Sequence, residues 1–285
     1  MIATLTDAPL FASNAVADDL CGDVVCEAID GHSALTRVWA TDPLKLLTPR
    51  THGHARQVVL STYGGGLLGG DRVAVRARVG AHARLLVTTQ SAGKVYRSEG
   101  LPSAQQFHAV VEDDALLAVL PDPVCPFAES RFHQRQHYDL SPRGNVVVLD
   151  WLTSGRHGRG ERWAMQEVNS LTQIDVGGRP LLRETLSLNA DHGEIGLPLR
   201  VGRFDCYAVL AMIGPLVRPL AEATQAHVRS MSLSQPTLLA TDSSVAGGAV
   251  FRILGRDVQG VQGLLQRLIE PLAGLLGQSP WGRKW

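Results

Sequence analysis

Several features that would assign a function class are scarce or missing in this chain of 285 residues. Its 27 Lys and Arg residues equal its 27 Asp and Glu residues, so the formal net charge is zero. A dedicated DNA- or RNA-binding protein needs an excess of cations facing phosphates, and the composition argues against that class. Charged residues make up 19% of the chain and hydrophobic residues 45%, which excludes a wholly disordered protein.

Long hydrophobic segments and paired cysteines are also absent. No apolar run approaches the roughly 18–20 residues that a membrane-spanning helix needs. The first twenty residues lack a basic leader and a continuous apolar stretch, so no signal peptide is predicted. Cys21, Cys26, Cys125 and Cys206 form no CxxC pair, which argues against a disulfide framework or a structural zinc site. We therefore expect reduced, mostly buried thiols in a cytoplasmic protein.

What the sequence does contain, between residues 22 and 190, is a series of short apolar segments bounded by Gly, Pro, Asp and Asn. Such a series is typical of an all-β domain. Apolar and cationic side chains alternate from Arg72 to Val79, which predicts a half-buried strand. The predicted strands are Val24–Ile29, Ala34–Trp39, Gln57–Thr62, Val73–Val79, Leu85–Thr89, Gln106–Val111, Leu116–Leu120, Val146–Leu152, Glu167–Ile174 and Leu181–Leu188.

The last third of the chain has a different character. Tyr207–Ile213 and Leu216–Val228 are rich in aliphatic residues and predict helix, interrupted at Gly214 and Pro215. One further strand is predicted at Ala249–Leu254.

A second helix is predicted near the end, where apolar residues recur every three or four positions between Val258 and Leu272. Asp257 is placed to begin this helix and Pro271 to end or kink it. The apolar face either packs on the β body or binds a partner. We expect one domain, residues 1–285, with a flexible segment 1–20 and a helical layer with one strand at 205–285.

The most unusual segment is Ser61–Asp71, which contains Gly64, Gly65, Gly66, Gly69 and Gly70. It lacks the GK[ST] sequence and the following helix of a phosphate-binding loop, and it fits no dinucleotide fingerprint. Two interpretations remain open. The segment is either a tight hairpin in which Asp71 bonds its own turn, or a bend that leaves room for an ion or a partner.

The ten histidines offer no recognisable metal motif, since HExxH, EF-hand and paired-cysteine patterns are absent. His133 and His137 are predicted to share a strand face with Arg131 and Arg135. These cationic neighbours disfavour a divalent cation, so the sequence predicts an ordinary surface there.

Four segments, in this order, strongly resemble the UreD (UreH) family of urease accessory proteins: YGGGLLGGDR, TTQSAGKVYRS, LPDPVCPFAESRF and LDWLTSGRHGRGERW. The resemblance extends more weakly from about Leu35 to the last helix. It implies a mainly β fold, with stacked strands in a β-helix-like body and about two α-helices in the C-terminal third. It also implies a cytoplasmic maturation chaperone without catalysis of its own. Such a chaperone is expected to bind apo-urease and UreF, which bridges to the GTPase UreG in a dimeric assembly, and nickel is expected to pass through an internal channel.

The resemblance places the expected nickel path at Asp71, Asp150 and Glu184, with no permanent cofactor. A transfer path needs ligands that replace hydration yet release the ion, and sparse carboxylates satisfy both needs better than a cysteine–histidine cage. The competing interpretations of these carboxylates are a turn cap, a strand-end hydrogen bond and an exposed strand residue. Residues expected to shape the fold or the interfaces, besides the five glycines, are Thr88, Thr89, Lys94, Tyr96 and Arg97.

Two hypotheses of other classes remain. A β-rich hydrolase would use Asp71 or Asp150 together with a histidine as acid and base. A pure scaffold would join UreF and urease and never contact nickel. Neither hypothesis involves nucleic acid or a membrane.

Overall fold

Two β-sheets face each other, and helices cover the far side of the larger one. The computed structural model describes residues 20–191, 196–231 and 236–281. The prediction for residues 1–20 therefore lies outside the described residues except at Leu20. The strands are β1 (Leu20–Ile29), β2 (His32–Ala40), β3 (Leu44–Leu47), β4 (Arg56–Thr62), β5 (Gly66–Leu67), β6 (Arg72–Val79), β7 (Arg84–Thr89), β8 (Gly93–Val95), β9 (Ser103–Val111), β10 (Leu116–Leu120), β11 (Val124–Pro126), β12 (Arg131–Leu140), β13 (Asn145–Thr153), β14 (Glu167–Val176), β15 (Arg179–Asn189), β16 (Cys206–Ile213), β17 (Leu238–Val245) and β18 (Gly248–Gly255).

Among the described residues, seven strands form what we call the outer sheet, in the order β15-β14-β12-β9-β6-β1-β2. The central sheet has the order β17-β18-β16-β13-β10-β7-β4-β3, and the short strands β5, β8 and β11 join it beside β13. The helices are α1 (Leu197–Val201), α2 (Arg218–Ser230), α3 (Val258–Ile269) and α4 (Ala273–Leu276), and the 3₁₀ turns are Tyr63–Gly65, His157–Arg159 and Glu270–Leu272.

The body is a solenoid of stacked turns, which confirms the predicted β-helix-like fold. Strands β4, β7, β10 and β13 pair in parallel in the central sheet, and β6, β9, β12 and β14 pair in parallel in the outer sheet. Arg56 pairs with Leu85, Leu85 with Leu117 and Leu116 with Asn145, so successive turns advance by 29, 32 and 29 residues. Because the turns differ in length, the winding produces no repeat of fixed period.

The central sheet is buried on both faces. In β10, Leu117 and Val119 pack between the sheets, whereas Leu116, Ala118 and Leu120 pack against the helices. A strand between two covered faces is expected to be apolar throughout, and all five residues of β10 are buried.

The helix predicted at Tyr207–Ile213 is wrong, because these residues belong to β16, between β13 and β18. Alternate residues of β16 face the inter-sheet core and the helix-side core. A strand covered on both sides has no period-two signal, and its aliphatic run was therefore indistinguishable from a buried helix. The region 205–285 accordingly contains three described strands, β16, β17 and β18, rather than one.

The other C-terminal predictions agree with the structure. Helix α2 covers most of the predicted Leu216–Val228 segment. The Asp257 side chain accepts a hydrogen bond from the Gly260 N–H at 2.7 Å and caps α3, which ends before the turn that contains Pro271. The apolar side of α3 packs on the central sheet. None of the described helices has the length and apolarity that crossing a membrane would require.

All four cysteines are free, as predicted. Cys21, Cys26 and Cys206 are buried, and Cys125 is half-buried. Burial raises the pKa of the Cys26 and Cys206 thiols to about 12, so both remain protonated near neutral pH.

Candidate functional site

The glycine-rich segment is a corner of the solenoid rather than a hairpin, because it connects β4 of the central sheet to β6 of the outer sheet through β5. Gly64 and Gly65 have φ of 72° and 71°, in the left-handed region that favours glycine. A Cβ on Gly66 would lie 2.6 Å from the Tyr96 ring, so this glycine allows a close approach. Glycine is therefore needed here for two different reasons.

Asp71 closes this corner. Its Oδ2 accepts a hydrogen bond from the Leu68 N–H at 2.8 Å, and its own N–H donates to the Leu68 carbonyl at 3.0 Å. The geometry is that of a side chain capping its own turn. Asp71 lines neither of the two cavities described below.

The motif segments meet on a short third face of the solenoid. Gly66, Lys94 and Cys125 occupy one row across β5, β8 and β11. The Tyr96 ring packs edge-on against Phe127 with centroids 5.2 Å apart. Each contact joins residues about 30 positions apart, and the whole row spans about 60 residues of the sequence, as the stacking of solenoid turns does in general.

The polar residues of this face have different environments. Lys94 is exposed, and Arg97 forms an exposed ion pair with Glu129 at 2.7 Å. The Tyr96 hydroxyl donates to the Gly64 carbonyl at 3.4 Å, which ties β8 to the glycine-rich corner.

Thr88 and Thr89 point to opposite sides of β7. Thr88 is buried and accepts a hydrogen bond from Gln57 at 3.2 Å. The Thr89 hydroxyl donates to the Asp122 carboxylate at 3.0 Å and accepts from the Asp122 N–H at 2.7 Å. Thr89 therefore positions a carboxylate that was not predicted from the sequence as part of the site.

Two neighbouring cavities lie between the third face and the space between the sheets. A mouth of about 390 Å³ lies between the glycine-rich corner and the segment 89–95. An inner cavity of about 60 Å³ shares five lining residues with it, and reaches Asp122, Gln134 and Asp150. The shared residues are Leu60, Thr89, Gly93, Gln105 and Val124.

Asp150 extends from β13 into the inter-sheet space. Its Oδ1 accepts a hydrogen bond from Gln134 at 2.8 Å, and its Oδ2 accepts one from Ser170 at 2.6 Å. Burial raises the pKa of Asp150, the two hydrogen bonds oppose that shift, and the charge of Glu184 adds to it. Both donors belong to the outer sheet, so Asp150 ties the two sheets together.

Glu184 is not the exposed strand carboxylate of the competing interpretation. Its side chain is 15% exposed and forms a two-pronged ion pair with Arg252, including a 2.7 Å contact from Nε to Oε1. Burial and then the charge of Glu184 raise the pKa of the neighbouring Tyr207 to about 12. Among the described residues, Asp150 therefore has no cation as a hydrogen-bond partner, whereas the nearby Glu184 carboxylate is paired with Arg252.

The polar partners of Asp150 were not predicted from the sequence. Gln134 and Ser170 occupy inward positions of β12 and β14, where apolar residues are the rule. The sequence signal for a buried polar site was a polar residue at the inward position of a strand in which buried and exposed residues alternate.

The structure does not support the hydrolase hypothesis. Among the described residues, the hydrogen bonds of Asp71 and Asp150 involve no histidine. A Ser154–His157–Asp205 group exists, but both partners contact the same imidazole nitrogen, Nε2, at 2.7 and 3.5 Å. A catalytic triad needs the serine and the aspartate on different ring nitrogens, so this group does not activate a nucleophile.

Comparison with known proteins identifies relatives over nearly the whole chain. The family described as UreD urease accessory protein matches residues 21–285. A urease accessory protein UreD of Sorangium cellulosum is 42% identical over 265 residues, covering 93% of this chain and 84% of that protein. The urease accessory protein UreD of Anaeromyxobacter is 33% identical and covers 92% and 88%, respectively. Urease accessory protein D of Oryza sativa subsp. indica is 30% identical and covers 95% and 98%.

Proposed function

This chain belongs to the UreD family of urease accessory proteins, and we propose that it is a maturation chaperone that guides nickel into apo-urease. In this proposal it binds apo-urease and UreF, and UreF links it to the GTPase UreG within a dimeric assembly. The chain holds nickel only in transit and performs no catalysis. The third face, with Lys94, Tyr96 and Arg97, belongs to the surface that partners contact.

The proposed nickel route runs between the two sheets. It begins at the mouth beside the glycine-rich corner, passes Thr89 and Asp122, and reaches Asp150. The single observation that carries the proposal is the Asp150 carboxylate, which lines the inner cavity. In the part of the chain that the structure describes, its hydrogen-bond partners are an amide and a hydroxyl, and no cation is among them. A divalent ion can take the place of such donors, and weak oxygen ligands release it again.

The other two carboxylates have secondary roles in this proposal. Glu184 contacts the ion only after it releases Arg252, so it acts as a second ligand beyond Asp150. Asp71 offers an oxygen outside the cavities and keeps the corner in shape. We therefore expect the three carboxylates to differ in importance, with Asp150 first.

The test replaces Asp150 by Asn, which keeps the size of the side chain and removes its charge. The full-length chain is co-expressed with UreF and UreG homologues and apo-urease, and co-purification and nickel per urease active site are measured. We expect normal assembly but several-fold less nickel in urease, because a neutral amide is a much poorer ligand for a hard or borderline cation.

The matched control is Glu222→Gln on α2, which also removes one carboxylate but lies on the exposed surface beside Arg218. Its urease should contain the normal amount of nickel. If Asp150→Asn also yields fully loaded urease, the interior route is wrong and the scaffold hypothesis is favoured. Loss of co-purification instead would assign Asp150 to assembly.

A further inference from the structure

A second group of metal-ligating side chains lies outside the interior route, on the solvent-facing side of the outer sheet. His108 of β9 and His137 of β12 are direct neighbours across parallel strands. Asp139 follows His137 by two residues and is itself opposite Asp175 of β14. Since side chains alternate along a strand, all four extend from the same face.

This face is opposite to the proposed nickel route. Phe107 and Tyr138, the neighbours of His108 and His137 in sequence, belong to the inter-sheet core. The two histidines therefore point away from that core. The group is partly accessible, since the side chains of His108 and His137 are 24% and 20% exposed and that of Asp139 is 40% exposed.

The distances fit a single coordinated ion. His108 Nε2 lies 2.7 Å from Asp139 Oδ2, and His137 Nε2 lies 3.3 Å from Asp139 Oδ1. One ligand atom from each of the three residues lies within 4.8 Å of the others. Ligand atoms at about 2.0–2.2 Å from one ion are about 3.0–3.5 Å apart, so small side-chain rotations would close the site.

The surrounding charges also favour a cation. His137 Nε2 faces two carboxylates, since it lies 2.9 Å from Asp175 Oδ2 as well. On the other side of His108, its neighbour Arg76 of β6 is held in a double hydrogen bond by Asp23 of β1. Other arginines also lie on this face: Arg78 binds Glu112, Arg135 precedes His137 by two residues in β12, and Arg183 of β15 is opposite Gln173.

We propose that His108, His137 and Asp139 form an outer site for a late first-row divalent cation such as Ni²⁺ or Zn²⁺. A site with two imidazoles and one carboxylate binds such ions in preference to Mg²⁺ or Ca²⁺, which favour oxygen ligands alone. Three protein ligands leave open positions for water or for a ligand from another protein. The site therefore exchanges its ion, unlike a closed structural zinc site.

Hydrogen bonding alone would account for each histidine–aspartate contact separately. It does not explain why both imidazoles contact the same carboxylate. A single carboxylate, Asp139, serves both imidazoles, and their rings stack with centroids 5.3 Å apart at 24°. An ion between the nitrogens and the carboxylate uses all three groups at once. This inference is independent of the interior route, because it requires neither urease nor the other accessory proteins.

The test measures binding of Ni²⁺ and, separately, Zn²⁺ to the tag-free full-length chain by titration calorimetry. We expect His137→Gln and Asp139→Asn to lose one bound equivalent per chain, or to bind it at least about tenfold more weakly. Imidazole proton resonances of His108 and His137 should broaden selectively when paramagnetic Ni²⁺ is added to the unsubstituted chain. Circular dichroism of each variant establishes that it is folded.

The matched control is His133→Gln, because His133 lies on the same face of β12 and contacts a carboxylate, Glu167, at 3.3 Å. It should keep the full stoichiometry. Equal loss in His133→Gln, or unchanged binding in both His137→Gln and Asp139→Asn, would overturn the proposal. Retention of the outer equivalent in Asp150→Asn is expected, and its loss there would show that the two proposed sites are not separate.

Discussion

Both sheets of the solenoid contain a run of parallel strands, yet the sheets differ in what covers them. The outer sheet has one face toward the core and one toward solvent, so buried and half-buried residues alternate strictly along β12. The central sheet lies between the outer sheet and the helices, and β10 is buried throughout. This difference determines where polar side chains can occur. They form groups on the solvent-facing side of the outer sheet, and they occupy isolated positions between the sheets.

The comparison also separates two kinds of carboxylate. On the outer sheet, Asp139 and Asp175 are opposite each other and contact histidines, and their side chains are 40% and 14% exposed. In the central sheet, Asp150 lies between apolar residues of β13 and accepts hydrogen bonds from the opposite sheet. Burial is the main cause that raises the pKa of Asp150.

The largest expected effect tests the packing difference directly. Leu117→Ala in β10 removes a side chain with no exposed surface, and we expect a loss of about 2–5 kcal/mol in the free energy of unfolding. Leu171→Ala in β14, on the half-buried outer side, should cost less than about 1.5 kcal/mol. Urea denaturation of both variants measures the difference. Equal losses would mean that the two sheets are covered to the same extent.

A smaller effect is expected where the two sheets are joined by charge. Arg252→Met leaves the Glu184 carboxylate, which is 15% exposed, without its cation. We expect a loss of about 2–3 kcal/mol in unfolding free energy, less than for a fully buried pair because Arg252 is 35% exposed.

The double variant Glu184→Gln/Arg252→Met distinguishes an unpaired charge from lost packing. It removes both charges, so it should be more stable than Arg252→Met alone. A double variant that is less stable than the single one would show that packing around Arg252, not the charge of Glu184, causes the loss. Urea denaturation at neutral pH measures both.

The same difference between the sheets explains which parts of the fold could be predicted from sequence. The alternation in β6 was recognisable because one face of the outer sheet meets solvent. The apolar run of β16 was mistaken for helix because both of its faces are covered. The winding could not be predicted either, since turns of 29 and 32 residues share no repeated sequence.

The candidate sites show a similar limit. The motif segments suggested Asp150 through family resemblance, but its donors Gln134 and Ser170 come from a different sheet. His137 was discounted because the arginines of its own strand are visible in the sequence. Its actual neighbours, His108 and Asp175, lie 29 and 38 residues away and reach it only through the strand register. A metal site assembled across parallel strands has no local sequence signature.

The smallest expected effect concerns the pH dependence of Asp150. Its pKa is raised in the folded protein, chiefly by burial. Between the unfolded value of about 3.9 and the raised folded value, the folded state binds more protons than the unfolded state, so stability falls as the pH rises. The amide that replaces the carboxyl group in Asp150→Asn does not titrate. The free energy of unfolding of this variant, relative to that of the unsubstituted chain, should therefore rise from pH 3 to pH 7. The expected rise is about 1.4 kcal/mol for each unit by which folding raises the pKa of Asp150.

Urea denaturation of both chains at a series of pH values gives this difference, and the other titrating groups cancel because both chains contain them. Glu184 contributes to the raised pKa. The pH-dependent gain should therefore be smaller when both chains also carry Glu184→Gln and Arg252→Met, which remove that charge without leaving a free cation beside Asp150. A constant difference across the pH range would mean that water in the inner cavity solvates Asp150 as fully as the outer carboxylates. The contrast between the two sheets would then be one of packing alone and not of electrostatics.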